Sequence, residues 1–469
     1  MGCARKGWIE DMFNGKNVVG IVTEFNPFHD GHGYLVDSIR LRYGDCYVVA
    51  AMSGDFVQRG EPAIFDKYER CYRALMRGVD MVVQIPEIFS TLSAEDFAAG
   101  GVAVLRSLGI VDTILFGSES GDLEMLKRVA GIEIDAGSRD NIRLNEAIRD
   151  NVSSGMSYPK ARAEAMRLVL SGDDEKAFRS MLDSVSKGER RIDLEMSSDT
   201  KASPENVLDY RLRPNDILGV EYIKAVKRQG ECFRVDCIRR NKEYESAHAI
   251  RDSIKAHEME SDEADIAFAD VDMLSDMLNY KLLQLYYLDQ MTPEEPSAFL
   301  EYADVSREIA GALKKSVHDR MSFSERIRSV KSRNYTYTRI SRALLHILLD
   351  IRKKDTRVLR GRFFGEGDVM PYVRVLGVRK AAKDILGEIK ATVVTSPAKY
   401  KKQLESVRKR ETIETPEELI MSINASHAEI MFHQDMYSAD IYNQIYSGGL
   451  GDAGGISSGN EFTQKFIVR

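Results

Sequence analysis

The sequence predicts an α/β chain, with an N-terminal domain on a parallel sheet followed by an α-rich C-terminal domain. Two observations carry this. Between Asn17 and Gly117, short β-branched segments alternate with segments whose apolar residues recur at helical spacing, the pattern of βαβ units and of parallel strands. After about Asp252 helical spacing takes over almost completely.

Taken in order, NVVGIVTE from Asn17 is short, β-branched and bounded by turn residues, which predicts a buried strand. A helix follows through Tyr34, Leu35, Ser38, Ile39 and Leu41, and CYVVAAM is a second strand. Asp66 to Gly78 has an acidic opening, helically spaced apolar residues and a glycine stop. DMVVQIP is a third strand, Ala94 to Leu108 a third helix and VDTILFG a fourth strand. Ligands of such sheets bind outside the carboxyl ends of the strands. That gathers TEFNPFHDGH, MSGDFVQRGEP, IPEIFS and FGSESGD at one edge, each with groups able to bind an anion. From about 126 to 200 the pattern turns helical and charged, as an insertion. RPNDILGVEYIKAVKRQ then reads as a helix and FRVDCIRR as a strand, so the first domain is expected to span 17–255. The C-terminal domain, 256–445, is mainly helical, with strand-like stretches at MPYVRVLGV and ATVVTS. The Gly/Ser-rich stretch within 446–469 predicts a flexible tail.

Apolar residues at 43% and charged residues at 30% match a soluble globular protein. No apolar run reaches the roughly 20 residues of a membrane span, and the charged N-terminus lacks a signal-peptide core, so a cytoplasmic location is expected. The five cysteines, Cys3, Cys46, Cys71, Cys232 and Cys237, form no CxxC pair and read as lone thiols. A net charge of −7 argues against sequence-blind binding to nucleic acid. Lys and Arg nevertheless cluster at Arg379, Lys380, Lys383, Lys399, Lys401, Lys402, Arg408, Lys409 and Arg410, as either a solvated helix face or a local RNA-binding groove. NYTYTR combines aromatics with Arg, which suits RNA stacking or, equally, a helix cap with core tyrosines.

The strongest local signal is His29-Asp30-Gly31-His32, directly after the first strand and opening a helix. A glycine there lets backbone approach a phosphate, and the helix N-terminus offers unpaired N–H groups. Two imidazoles can donate hydrogen bonds to phosphate oxygens as charge grows during attack at phosphorus. Core or surface histidines, or a metal pair, are the other readings of two histidines three apart, and no motif places a third ligand nearby. No GxxxxGK[ST] loop, GxGxxG turn or GxSxG elbow is present.

HxGH after the first strand resembles the signature of the HIGH-type nucleotidyltransferase superfamily. GIVTEFNPFHDGH, MSGDFVQRGEPAIFDKYER, SAEDFAAGGVAVL, FGSES, SYPKAR, RPNDILGVEYIKA, SAHAIR, YTYTRISRALLHILL and ADIYNQI, in that order, are similar to the tRNA(Met) cytidine acetate ligase family. The resemblance runs from about Asn17 to about Tyr442 and leaves 1–16 as an N-terminal extension. It implies a Rossmann-like nucleotidyltransferase domain that activates acetate with ATP and Mg²⁺ to acetyl-adenylate. The acetyl group then passes to the exocyclic amine of the wobble cytidine in elongator tRNA(Met).

It further implies that Val22, Thr23, Glu24, Phe25, Asn26, Pro27, Phe28, His29, Asp30, Gly31, His32, Gly33, Tyr34 and Leu35 form the first ATP-binding stretch, with His29 and His32 facing phosphate. Gly117, Asn215 and Arg239 or Arg240 match later nucleotide contacts, although a helix N-terminal Asn and surface salt bridges explain the last three as simply. Ser246 and Arg251 of SAHAIR stand in the place of a second phosphate signature. Asp30, Asp55 and Asp216 replace the family's usual Asn, and His248 its usual Thr. A carboxylate beside triphosphate would repel it unless turned away or bridged by Mg²⁺. A nucleotidyltransferase acting on another small acceptor, and a catalytically inactive RNA-binding relative, are the competing functions.

Overall fold

The structure, a computed structural model, describes residues 13, 15–156, 158–170, 213–231, 233–241, 243–256, 268–332, 335–366, 369–408, 416–446 and 460–469. Cys3, Cys232, Lys409, Arg410 and nearly all of the Gly/Ser-rich stretch lie outside the described residues.

Among the described residues ten strands form: β1 (Asn17–Thr23), β2 (Cys46–Ser53), β3 (Phe56–Val57), β4 (Glu61–Pro62), β5 (Met81–Ile85), β6 (Thr113–Ser118), β7 (Arg234–Arg239), β8 (Tyr372–Val378), β9 (Thr392–Val394) and β10 (Ile467–Val468). Every residue of β2 and β5 is buried, as a parallel strand covered on both faces requires. The sheet order is β10-β8-β5-β2-β1-β6-β7, with β9 on the side of β8, while β3 and β4 make a separate hairpin. β5, β2, β1, β6 and β7 run parallel, Asn17 facing Cys46 and Thr113 facing Arg234. The chain steps outward from β1 to β2 to β5, then returns to the other side of β1 with β6. That reversal opens a crevice between the carboxyl ends of β1 and β6. The helix Ala94–Leu108 lies close on β1. A Cβ on Gly101 would sit 2.5 Å from Val22, so no larger residue fits at that crossing.

The strand-like stretch assigned to the helical C-terminal half instead completes this sheet. β8 pairs antiparallel with β5, covering backbone groups that would otherwise form an open edge. Its seven residues are all buried. The segment expected as a flexible tail also returns, because Ile467 and Val468 pair with Gly377 and Val378.

Two compact units result. The larger takes in residues up to 121 and from 225 onward. In its C-terminal part the helices Ser275–Met291, Arg307–Lys315, Phe323–Val330 and Tyr337–Leu348 bury Leu278, Leu282, Ile309, Leu313, Ile327 and Leu344. The smaller, Asp122–Lys224, is helical where described, with Lys224 Nζ held between Glu133 (2.9 Å) and Glu221 (2.8 Å). Cys46, Cys71 and Cys237 are buried and in no disulfide among the described residues.

An ionic cluster closes the larger unit. Lys67 Nζ sits between Asp55 and Glu461, 2.6 Å from the latter. Glu461 also accepts from Arg374 and from the Tyr68 hydroxyl at 2.9 Å. Burial alone would raise the Glu461 carboxyl, but Arg374 and Lys67 hold it down at about 2. Replacing Lys67 with Met would leave the buried Asp55 carboxylate without its cation, and such one-sided losses cost about 3–5 kcal/mol. The urea midpoint of Lys67→Met should fall accordingly. Because the folded-state value of Glu461 is depressed, its contribution is whole above the ordinary carboxylate range and is lost as pH falls toward about 2. Glu461→Gln should therefore flatten the acid limb of stability against pH, and an unchanged limb would show that the pair is inert.

Candidate active site

The loop after β1 is fixed by its own side chains. Thr23 Oγ1 accepts from the Phe25 N–H at 3.2 Å, and Glu24 accepts from the Gln58 N–H at 2.8 Å. Burial raises the Glu24 carboxyl, against the pull of that hydrogen bond and of Arg59, Arg251 and Arg70. Phe25 stands at φ 47°, a left-handed backbone that bulky residues rarely adopt. Its ring is buried against Phe28 (4.8 Å) and edge-on to His32 (4.9 Å). Asn26 is buried, its Oδ1 accepting from the Ile64 N–H at 2.8 Å, and Pro27 is buried beside it. Val22 packs under Gly101, and Leu35 packs against the core. Much of the expected ATP-binding stretch thus holds the loop from within and presents only its histidine end.

Beneath lies Arg70, fully buried on the helix Lys67–Met76. Its guanidinium donates to the carbonyls of Phe65 (2.9 Å), Glu24 (2.6 Å), Ser53 (3.2 Å) and Gly54. One side chain therefore ties the carboxyl ends of β1 and β2 together. Sequence reasoning missed it, since an Arg inside a helical repeat carries no local mark of burial.

The helix Asp30–Tyr43 opens on a capping box built from the two histidines. His29 Nδ1 accepts from the Gly31 N–H at 3.0 Å, and His32 Nδ1 accepts from the His29 N–H at 3.3 Å. Their rings lie 3.9 Å apart. A backbone N–H can only donate, so each Nδ1 is bare and each neutral ring carries its proton on Nε2. Burial, with a smaller push from Arg240, lowers His29 to about 4, and burial with His29 and Arg240 takes His32 well below its ordinary range. Both rings are neutral Nε2–H donors near pH 7. Gly31 is required by the cap itself: a Cβ there would meet the His29 ring at 2.8 Å. Gly33 has open space above it, and Tyr34 packs on Tyr244 at 5.7 Å.

Across the crevice, Gly117 is the next-to-last residue of β6, and Arg240 lies 3.5 Å from where its Cβ would be. Arg240 extends β7, anchored by its N–H to the Ser118 carbonyl (2.8 Å) and 3.8 Å from Glu119. Arg239 is exposed. The structure so brings together the histidine cap, Gly117 and Arg240. Arg251 of SAHAIR joins them, donating to the Asn26 carbonyl at 2.7 Å from a helix capped by Ser246. Asn215 lies on the first turn of the helix Pro214–Arg228, in the smaller unit, where Asp216 is buried.

The departures from the family pattern find physical reasons here. Asp30 points into solvent and pairs with Arg77 at 3.2 Å. Asp55 is turned inward to Lys67. His248 is mostly exposed, 3.6 Å from Asp252.

Residues 16–450 match the family described as HIGH Nucleotidyl Transferase. The tRNA(Met) cytidine acetate ligase of Thermoanaerobacter sp. is 30% identical over 454 residues, covering 92% of this chain and 95% of that relative. The enzyme of the same name from Halothermothrix orenii is 32% identical over 390 residues, covering 80% and 84%. This chain belongs to the tRNA(Met) cytidine acetate ligase family. In this HIGH-type family member the backbone also matches Thermotoga maritima TmcAL bound with alpha-thio ATP, with TM-score 0.72, 26% identity and coverage of 96% and 99%. No helix among the described residues is long and apolar enough to cross a membrane.

The imidazole arrangement predicts a spectroscopic outcome. Nitrogen-15 NMR of labelled histidine should show His29 and His32 neutral and protonated on Nε2 near pH 7, with His29 titrating at about 4 rather than 6.5. Since the unfolded chain takes up these protons first, the pair should lower stability as pH falls from 6.5 toward 4. A His29 midpoint near 6.5 would rule out the buried cap.

Proposed function

We propose that this chain is an ATP-dependent ligase that makes acetyl-adenylate from acetate and ATP and transfers the acetyl group to the wobble cytidine of elongator tRNA(Met). One observation carries the reading: two neutral imidazoles, each locked by backbone into the Nε2–H form, stand at a helix N-terminus on the β1–β6 crevice. Such donors are aimed where charge develops at phosphorus, and they need no proton exchange to act.

ATP lies with its phosphates over Gly31 and the first turn, and its nucleoside toward Gly117 and Arg240. An acetate oxygen attacks the α-phosphorus, the bond to the bridging oxygen breaks, and pyrophosphate leaves. The imidazoles and Arg240 share the negative charge. The cytidine amine then attacks the acetyl carbon, the carbonyl–oxygen bond breaks, AMP departs and one proton leaves the nitrogen. Among the described residues no group of three or more His, Cys, Asp or Glu could hold a metal ion. Mg²⁺ carried by the triphosphate would supply neutralisation of phosphate charge, with the imidazoles and Arg240 of this chain donating to the oxygens. Such an enzyme works in the cytoplasm, where ATP and tRNA meet.

The helix Pro397–Arg408 supports an RNA surface away from the crevice. Tyr400 and Leu404 anchor it, while Lys399, Lys401 and Lys402 are exposed, Lys401 over the Phe462 ring at 5.2 Å.

Two tests follow. His32→Ala should lower acetate-dependent pyrophosphate exchange by about a hundredfold while leaving the melting temperature near wild type; an unchanged rate would sink the phosphate role. Reversing Lys399, Lys401 and Lys402 to Glu should weaken tRNA binding and flatten its log–log salt dependence by roughly 0.7–0.9 per lost phosphate contact. Binding that survives the reversals would make this a solvated helix face.

A further inference from the structure

The histidine cap has a second side. A cleft of about 780 Å³ opens between the cap, the exposed end of the helix Lys67–Met76 and the helix Ala247–Lys255, and neither Gly117 nor Arg240 lines it. That volume falls in the roughly 300–1,000 Å³ of ordinary ligand sites. Its floor includes His29 and Gly31. Its walls are apolar and aromatic: Met76 is 60% exposed and Tyr244 37%, with Ile250 and Ile254 beside them. Met76 here does not stand alone on the surface: it lines, with Tyr244, Ile250 and Ile254, a cleft that shares His29 and Gly31 with the phosphate cap.

The polar groups at the rim are of both signs. Arg77 holds only Asp30, through a solvent-exposed pair of the kind that contributes little and exchanges readily. Arg73 is tied to Glu69 at 2.7 Å and lies over the Phe65 ring, so it forms wall rather than free charge. Glu243 and Glu245 also line the cleft. A purely anionic ligand is poorly served by such a mixture. A nucleoside within an RNA strand is well served: apolar and aromatic walls take an unstacked base, a carboxylate accepts from an exocyclic amine, and a mobile guanidinium takes the flanking phosphate.

We infer that this cleft is the docking site of the acceptor nucleoside, a single-stranded pyrimidine carrying an exocyclic amine, with Tyr244 and Met76 against the base and Arg77 on its 5′ or 3′ phosphate. The inference rests on the acetyl-transfer reading above and adds the place of the second substrate. ATP lies toward Gly117 and Arg240 and the RNA base in the cleft, so the amine reaches the acetyl carbon across His29. The pairing of Arg77 with Asp30 then has a role: it parks the guanidinium until a phosphate displaces the carboxylate.

The test separates the two half-reactions in the intact chain. Acetate-dependent pyrophosphate exchange is measured without RNA, and acetyl transfer is measured with tRNA(Met) under saturating ATP and acetate. Tyr244→Ala and Arg77→Glu should leave exchange, and its KM for ATP, within about twofold. Transfer should fall about tenfold or more, the scale of one lost base-stacking or phosphate contact. For Arg77→Glu the loss should appear in KM for tRNA, and Tyr244→Phe should restore most of the Tyr244→Ala loss. Undiminished transfer in both variants overturns the inference, as does a parallel rise in KM for ATP, which would assign the cleft to the nucleotide. A wild-type chain with no acetate-dependent exchange would instead overturn the function on which the inference rests.

Discussion

Four backbone carbonyls, at Glu24, Ser53, Gly54 and Phe65, converge on the guanidinium of Arg70, and the geometry of the whole carboxyl edge depends on that convergence. Two loops leaving adjacent parallel strands have no ladder to hold them and would otherwise diverge into water. A planar fork with five donors is the one side chain able to satisfy several carbonyls from a buried position. Because Glu24 immediately precedes the strained Phe25, fixing its carbonyl also fixes where Asn26, Phe28 and the histidine cap begin. The active-site geometry is therefore set one layer below the residues that face the ligand.

The cap shows how a short motif can specify protonation as well as position. The helix N-terminus has backbone N–H groups in need of acceptors, and it takes them from two imidazoles instead of the usual hydroxyl or carboxylate. Using Nδ1 in this way leaves no choice for the proton. Burial between Phe25 and Phe28 then keeps the rings uncharged, so the cap presents dipoles, with Arg240 and Arg251 as the neighbouring cations.

The N-terminal strands, their helices and the histidine motif were legible because each is specified within a dozen residues. Ala94–Leu108 coincides with its periodic segment, and Asp66 caps the helix its acidic opening announced. What escaped was whatever depends on partners far along the chain. Tyr372–Val378 reads as a modest strand in a helical region, and nothing local says that its neighbour is Met81–Ile85. The carboxylate at Asp55 reads as hazardous for an anion site, but it is turned to Lys67, which is shared with Glu461 from a segment that reads as loose. The cleft of Met76 and Tyr244 joins helices whose contact is tertiary, so its residues carried no shared signature.

The antiparallel closure by β8 carries a consequence for biosynthesis. While the ribosome is still making the helical second half, Met81–Ile85 is the outer strand of an unfinished sheet, with its hydrogen-bonding edge bare and its apolar faces partly uncovered. Edges of that kind recruit other strands, and a chain this dependent on late pairing spends a long interval exposed to aggregation. The nucleotide-binding half is thus a poor candidate for expression as an isolated fragment. A nascent chain stalled before Tyr372 would be expected to require chaperone protection.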